Sequence, residues 1–323
     1  MPILNSAYQP PFLFANPHLQ LLQANIVHQV QGVNYFRERI TTPDGDFLDL
    51  DRSSSGNRRC AILLHGLEGH SRRQYMLGMA KVFNKRKWDA VSFNFRGCSG
   101  QPNTKAHWYH AGLTGDLHCV VTHIIGQKTY DTIAIIGFSV GGNLTLKYLG
   151  EQGALIDKCV SCAAAVSVPC DLAASALQLA QPGNRRYMRR FLRMFHEKIR
   201  AKLPVMPGML DDAGFESIRS FKEYDDRYTA PLNGFTSAED YWRRASCKPF
   251  LDAVAIPTLI INAKDDPFLT PECSPVEEAK RNPRLYLETP DHGSHVGFVA
   301  FGNHGEYWHE TRIAEWTEKN CGL

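Results

Sequence analysis

No stretch constrains the fold of this chain more than Ile133-Ala134-Ile135-Ile136-Gly137-Phe138-Ser139-Val140-Gly141-Gly142-Asn143-Leu144. A short, wholly apolar run is the pattern of a strand buried on both faces. Here it passes directly into Gly-x-Ser-x-Gly and then into a helix-forming segment from Leu144 to Leu149. A serine stands clear of the backbone at a strand-to-helix turn only if the turn is sharp and its neighbours are small, and Gly137 and Gly141 meet that condition. The expected arrangement presents the Ser139 hydroxyl beside a helix N-terminus. The same residues do not spell G-x-G-x-x-G, which argues against a dinucleotide site.

The flanking chain repeats the theme. Tyr35–Ile40 and Phe47–Asp51 form a hairpin around Thr42-Pro43-Asp44-Gly45-Asp46. From residue 60 onward, short apolar runs alternate with helical patterns. The strands are Cys60–Leu64, Asp89–Phe95, Thr132–Gly137 and Cys159–Val168, and the helices fall near 72–84, 113–125 and 144–149. Such alternation builds a parallel sheet with helices on both faces, and ligands of such sheets bind at the carboxyl ends of the strands. Residues 170–250 break the pattern, which resumes at Pro257–Ala263, continues through Leu285–Glu288 and closes with a helix near 306–318. The expected organisation is an N-terminal arm over 1–30, a core over 31–169 and 251–323, and a helical cap insertion over 170–250. Prolines at 10, 11 and 17 make the arm irregular, with aromatic residues as its anchors.

Composition narrows the class. The chain has 323 residues, 43% of them hydrophobic, and a formal charge of +3, far from the signature of a nucleic-acid binder. Nine scattered cysteines in a chain that can bury a large core point to reduced thiols. The start lacks a basic n-region and no apolar run approaches 18 residues, so a cytoplasmic protein is expected. Cys159 and Cys162 match C-x-x-C, but three residues apart on a strand they face opposite ways and cannot share a metal. His292 and His295, like His107 and His110, lack a convincing third ligand. Neither a metal nor a cofactor is expected.

Strand ends carry the remaining candidates. His65-Gly66-Leu67-Glu68-Gly69 follows Cys60–Leu64, and its two glycines let backbone amides turn towards a substrate. The Leu67 N–H, with the Val140 N–H after the serine, would form an oxyanion hole. A serine hydroxyl needs an imidazole to take its proton and a carboxylate to fix that imidazole. Asp265 or Asp266 and His292 or His295 lie at later strand ends, in the order Ser…Asp…His. Asp266 is favoured because the chain must turn at Pro267-Phe268-Leu269, while Asp265 would brace that turn. His295 is favoured because Gly293-Ser294 and Val296-Gly297-Phe298 make a flexible loop with apolar anchors.

Taken together, these segments resemble the YheT-like branch of the α/β-hydrolase superfamily, related to membrane-anchored ABHD-type lipid hydrolases. The matching stretches include Asn16-Pro17-His18-Leu19-Gln20, His65-Gly66-Leu67-Glu68-Gly69 and Asn94-Phe95-Arg96-Gly97-Cys98-Ser99-Gly100. They continue through Gly137–Asn143, Thr229-Ala230-Pro231, Asp265-Asp266-Pro267-Phe268 and His295-Val296-Gly297-Phe298, so nearly the whole chain is covered. The resemblance implies an α/β-hydrolase fold, a Ser139–His295–Asp266 triad and hydrolysis of short- to medium-chain acyl esters of small molecules. Acyl transfer to an alcohol and lipid hydrolysis use the same triad. A binding protein without catalysis would show a lost triad residue, and none is lost. Two departures stand out: Ser294 replaces the glycine usual before the histidine, and a membrane anchor like that of the lipid-hydrolysing relatives is not expected here.

Within the insertion, 185–202 carries Arg185, Arg186, Arg189, Arg190, Arg193, Lys198, Arg200 and Lys202 with apolar residues at helical spacing. Such a charge run is expected to be a solvated face, with weak contact to anionic membranes as the sharper alternative.

Overall fold

The computed structural model describes residues 3–301 and 305–321. Its sheet has nine strands: β1 (Ile3–Leu4), β2 (Phe36–Thr41), β3 (Phe47–Ser53), β4 (Arg59–Leu64), β5 (Asp89–Asn94), β6 (Thr132–Phe138), β7 (Val160–Val166), β8 (Thr258–Ile261) and β9 (Leu285–Glu288). They lie in the order β1-β9-β8-β7-β6-β4-β5-β3-β2. The β2–β3 and β3–β5 pairs are antiparallel and the other pairs parallel.

Eleven α-helical segments are described: α1 (Pro17–Leu22), α2 (Gln74–Lys85), α3 (Thr114–Gly126), α4 (Val140–Gln152), α5 (Leu172–Leu179), α6 (Arg185–Lys202), α7 (Phe221–Tyr224), α8 (Ala230–Leu232), α9 (Ala238–Ala245), α10 (Val276–Arg281) and α11 (Trp308–Asn320). Among the described residues, no helix is long and apolar enough to cross a membrane.

The apolar run before Ser139 explains the layering. Successive residues of a strand point to opposite faces. Ile133 and Ile135 pack on one side with Leu117, Val120 and Leu144 of α3 and α4. Ala134, Ile136 and Phe138 pack on the other with Met76, Phe83, Ile313 and Trp316 of α2 and α11. A strand buried on both faces has to be apolar throughout, which is why β4, β6 and β8 read as continuous runs. The two C-x-x-C thiols obey the same rule, Cys159 packing against the first layer and Cys162 lying within the second. All nine cysteines are free thiols.

Two expectations about the arm need correcting. Its first residues add a parallel edge strand, Ile3 pairing with Leu287 and Leu4 with Glu288, so it extends the sheet as well as packing on it. Its aromatics are not uniformly anchors: Tyr8 is buried, donating to Val299 O at 2.9 Å, whereas Phe12 is 93% exposed. A two-residue strand is too short to show alternation, and prolines at 10 and 11 mask it.

Between β7 and β8 the chain is helical. Met188, Leu192, Phe195 and Ile199 of α6 pack on Phe215, Tyr224 and Tyr228. Leu172 and Ala176 of α5 meet Tyr241, Trp242 and Ala245 of α9. These clusters lie over the carboxyl ends of the strands, where Leu179, Phe195 and Trp242 share a cavity with Ser139.

Candidate active site

Ser139 sits at the tip between β6 and α4 with φ 55° and ψ −122°, a conformation that L-residues rarely adopt. It is held at both ends of the turn, since Ser139 N–H donates to Val166 O at 2.8 Å and Asn143 N–H to Ser139 O at 3.0 Å. The flanking glycines are needed for space. A Cβ on Gly137 would lie 2.3 Å from Gly141 O, and one on Gly141 would lie 2.5 Å from His65 O. Neither carries a left-handed φ, so the strain falls on the serine.

The three residues expected to act together do meet. His295 Nε2 is 2.9 Å from Ser139 Oγ, and His295 Nδ1 is 2.8 Å from Asp266 Oδ2. A carboxylate can only accept, so the imidazole proton sits on Nδ1 and Nε2 is left to accept from the serine hydroxyl. The Asp266 side chain is fully buried, and its second oxygen accepts from Phe268 N–H at 2.9 Å. Phe268 stacks at an angle on the imidazole, ring centres 4.5 Å apart, which shields the pair from water.

Asp265 and Asp266 divide their work differently from the expectation. Asp266 itself closes the turn, through Phe268 N–H. Asp265 reaches across to the histidine loop, accepting from Ser294 N–H at 2.8 Å and standing 3.3 Å from His292 Nδ1. His292 and His295 thus have separate carboxylate partners. Nor is the histidine loop slack. Ser294, Val296 and Phe298 have φ of 54°, 56° and 42°, a strained sequence for side chains of that size. The conformation is imposed by cross-ties: Ser294 Oγ donates to Pro17 O at 2.7 Å, Val296 N–H to Ser167 Oγ at 2.9 Å, and Val299 N–H to Gln20 Oε1 at 3.2 Å. Ser294 therefore does what glycine could not, and ties the loop to the N-terminal arm.

The loop after β4 also differs in detail. Its left-handed residue is Glu68 (φ 51°), and Gly66 and Gly69 serve as spacers. A Cβ on Gly66 would lie 3.1 Å from Ser139 Cβ, and one on Gly69 would lie 2.9 Å from the Tyr75 hydroxyl. His65 locks the base of the loop. Its Nδ1 bonds Gly66 O at 2.7 Å and its Nε2 accepts from Phe95 N–H at 3.1 Å. Burial pushes its pKa down to about 3, so it stays neutral and both bonds persist. Leu67 and Val140 border the same cavity as Ser139 and His295. Val140 is the first residue of α4, where a backbone N–H has no intrahelical acceptor.

Three features were missed in the sequence. Asn143, wholly buried in the first turn of α4, donates to Ala111 O and Ala245 O and accepts from Cys247 N–H, pinning the serine turn to the chain around α9. A lone Asn in a helix gives no sign of partners a hundred residues away. Leu21 of the arm reaches the cavity beside the serine. The basic face of α6 is only partly solvated: Lys198 Nζ bonds Glu68 Oε1 at 2.6 Å with both side chains buried, and Lys202 Nζ bonds Lys105 O at 2.6 Å. Helical periodicity placed these lysines on the polar face, but the strand-end loops supply acceptors there.

Ser139 stands between two lobes. One, of about 650 Å³ including its mouth, is walled by Leu172, Ala176, Leu179, Phe195, Phe221 and Trp242, with the Asp225 carboxyl among them. Trp242 Nε1–H donates to Asp225 Oδ2 at 2.8 Å, and burial pushes the Asp225 pKa up to about 7. The other lobe, about 680 Å³, is walled by Leu21, Tyr75, Tyr187 and Met194 together with Arg73 and Arg190.

A family model described as serine aminopeptidase, S33 matches residues 56–284, a span that includes Ser139 and Asp266 and ends before His295. YheT of Escherichia coli (strain K12) is 34% identical over 311 residues, covering 94% of this chain and 90% of that protein. Phospholipase ABHD3 of Homo sapiens is 29% identical over 308 residues, covering 92% of this chain and 75% of its own length. Among solved structures, the esterase Pf2001 of Pyrococcus furiosus matches with a TM-score of 0.61 at 17% identity, over 91% of this chain and 96% of that one. Likeness at that level of identity speaks to the fold alone, which is that of the α/β hydrolases.

Proposed function

The chain belongs to the serine aminopeptidase, S33 family of α/β hydrolases, in its YheT-like branch, and is a carboxylic ester hydrolase; on that premise we propose that it works through Ser139 as nucleophile, His295 as general base and acid, and Asp266 as the group that orients the imidazole. The observation that carries the proposal is the unbroken hydrogen-bonded line from the strained Ser139 hydroxyl through His295 to the buried Asp266 carboxylate.

The steps follow from the atoms in place. As Ser139 Oγ attacks the ester carbonyl carbon, His295 Nε2 takes its proton and the carbonyl oxygen gains negative charge. The Leu67 and Val140 N–H groups hold that oxygen, the second aided by the positive end of α4. His295 then returns the proton to the departing alcohol oxygen, the carbon–oxygen bond breaks, and the acyl group remains on Ser139. A water deprotonated by the same nitrogen attacks the acyl carbon, and the acid leaves as Ser139 recovers its proton. Asp266 stabilises the imidazolium formed in each half and keeps Nε2 facing the serine.

The apolar lobe between α5, α6 and α9 suits the acyl chain, and its limited volume suits short- to medium-length chains. Labelling by a fluorophosphonate probe tests the assignment: wild type is expected to label and Ser139→Ala to remain dark. Equal labelling of the two would remove Ser139 from the mechanism.

A further inference from the structure

The second lobe poses a question that ester chemistry alone leaves unanswered. Arg73, at the start of α2, and Arg190, on α6, both face it, and no Asp or Glu is among the described residues that wall it. Arg73 Nη2 donates to Glu68 O at 3.1 Å and forms no salt bridge among the described residues. Arg190 likewise has no carboxylate partner among them. The nearby Glu68 carboxylate is already taken by Lys198 and the Tyr109 hydroxyl. Two guanidinium groups that share a recess with no counter-charge repel each other, and the cost falls when an anion lies between them. Burial, Arg73 and Arg193 together lower the Arg190 pKa, in keeping with that crowding.

Resting on the esterase assignment, in which the apolar lobe takes the acyl chain, we propose that Arg73 and Arg190 bind an anionic group, a phosphate or a carboxylate, on the alcohol side of the ester. The preferred substrates are then acyl esters of acidic alcohols. Position supports this assignment, because Ser139 and His295 border both lobes and an ester seated on Ser139 has to send its two halves in different directions. The fork of each guanidinium suits a bidentate oxyanion, and the open mouth at Arg190 lets a charged group enter with part of its hydration intact.

The test is a matched set of soluble butyryl esters whose alcohols end in phosphate, carboxylate or a neutral hydroxyl, assayed on wild type, Arg190→Gln and Arg190→Glu. Arg190 is the better site to change, because Arg73 also holds the Glu68 carbonyl. Wild type is expected to favour the anionic esters, and the ratio of kcat/KM for anionic over neutral ester should fall about 10- to 100-fold in Arg190→Gln and further in Arg190→Glu. The wild-type ratio should also shrink as salt rises from 50 to about 500 mM. The neutral ester serves as the folding control, because the ratio cancels any general loss of activity. A wild-type ratio near one, or a ratio unmoved by either substitution, would overturn the anion site while leaving the esterase assignment intact. Failure to hydrolyse any ester, with no labelling of Ser139, would overturn both. Comparison of the phosphate and carboxylate arms identifies which anion the pair prefers.

Discussion

Ser139, Asp266 and His295 owe their positions to short turns held by directed hydrogen bonds. They stand on turns that leave parallel strands, and each turn is closed by a main-chain N–H: Ser139 N–H to Val166 O, Phe268 N–H to the Asp266 carboxylate and Val296 N–H to Ser167 Oγ. Phe195, Trp242 and Arg190 stand on helices whose places depend on side chains packing against side chains. Substitution is therefore expected to act differently on the two. At the sheet edge it removes chemistry or breaks the fold, because the geometry is fixed by strain and close approach. In the helical segment it shifts which substrates fit, because packing can yield.

The largest expected effect is chemical. Asp266→Asn would leave the turn near Phe268 largely intact while favouring the wrong tautomer of His295, and kcat is expected to fall on the order of 10⁴-fold. Far-UV circular dichroism and the unfolding midpoint should stay close to wild type. A modest loss would mean that Asp265 substitutes for it, and the double variant with Asp265→Asn would reveal that. Next comes the fold. In Gly141→Ala the new methyl would meet His65 O at 2.5 Å and Leu64 O at 2.7 Å, backbone atoms at the carboxyl end of β4 that cannot move aside. A destabilisation of about 3 kcal/mol or more is expected from denaturant unfolding. If the variant is as stable as wild type, the close approach of α4 to β4 is not the reason for the glycine.

Lys198 joins the two regions, and so it sharpens the contrast. Its ammonium reaches from α6 to Glu68, the left-handed residue beside the Leu67 amide. Lys198→Met strands a buried carboxylate, at a cost of about 3 kcal/mol. Adding Glu68→Gln should recover most of that stability, since the unpaired charge is gone. If the pair also positions the Leu67 amide, the double variant should keep its stability yet lose kcat about tenfold with KM little changed. Recovery of both stability and kcat would show that the tie is structural only.

Legibility in the sequence divides along the same line. Apolar runs of strand length and the glycines around Ser139 express constraints that act within a few residues, so most of the sheet, its strand ends and Ser139 could be read directly, whereas the choice of Asp266 over Asp265 and of His295 over His292 took further argument, and the two-residue β1 left no signal. The inward turn of Lys198, the cross-chain ties of Asn143 and the strain at Val296 depend on partners far along the chain. Val296 illustrates the point. A β-branched residue with φ 56° contradicts local preference, and it is held there by Ser167 from another strand end. Charge periodicity on α6 read as solvated for the same reason, because the acceptors at Glu68 and Lys105 belong to loops more than ninety residues away.

The smallest expected effect compares two buried acids, one in the helical segment and one on α11, which packs against a face of the sheet. Burial raises Asp225, on the wall of the apolar lobe beside Ser139, from an ordinary 3.8 to about 7, and raises Glu310, packed near Gly78 of α2, from 4.5 to about 8. In both cases the folded form holds its proton through a range in which the unfolded chain has lost it. Stability therefore falls as pH rises, starting near the unfolded value and levelling off above the folded one, with a slope of at most about 1.4 kcal/mol per pH unit for each proton. Asp225→Asn is expected to flatten the fall between pH 4 and 7, and Glu310→Gln the fall between 4.5 and 8, each read from unfolding midpoints across pH. Only the first should also alter acyl-chain preference, because only Asp225 faces the cavity. Equal effects on substrate choice would mean that Glu310 reaches the site through α2 and the loop that carries Leu67, and the contrast between a rigid edge and a tunable wall would fail.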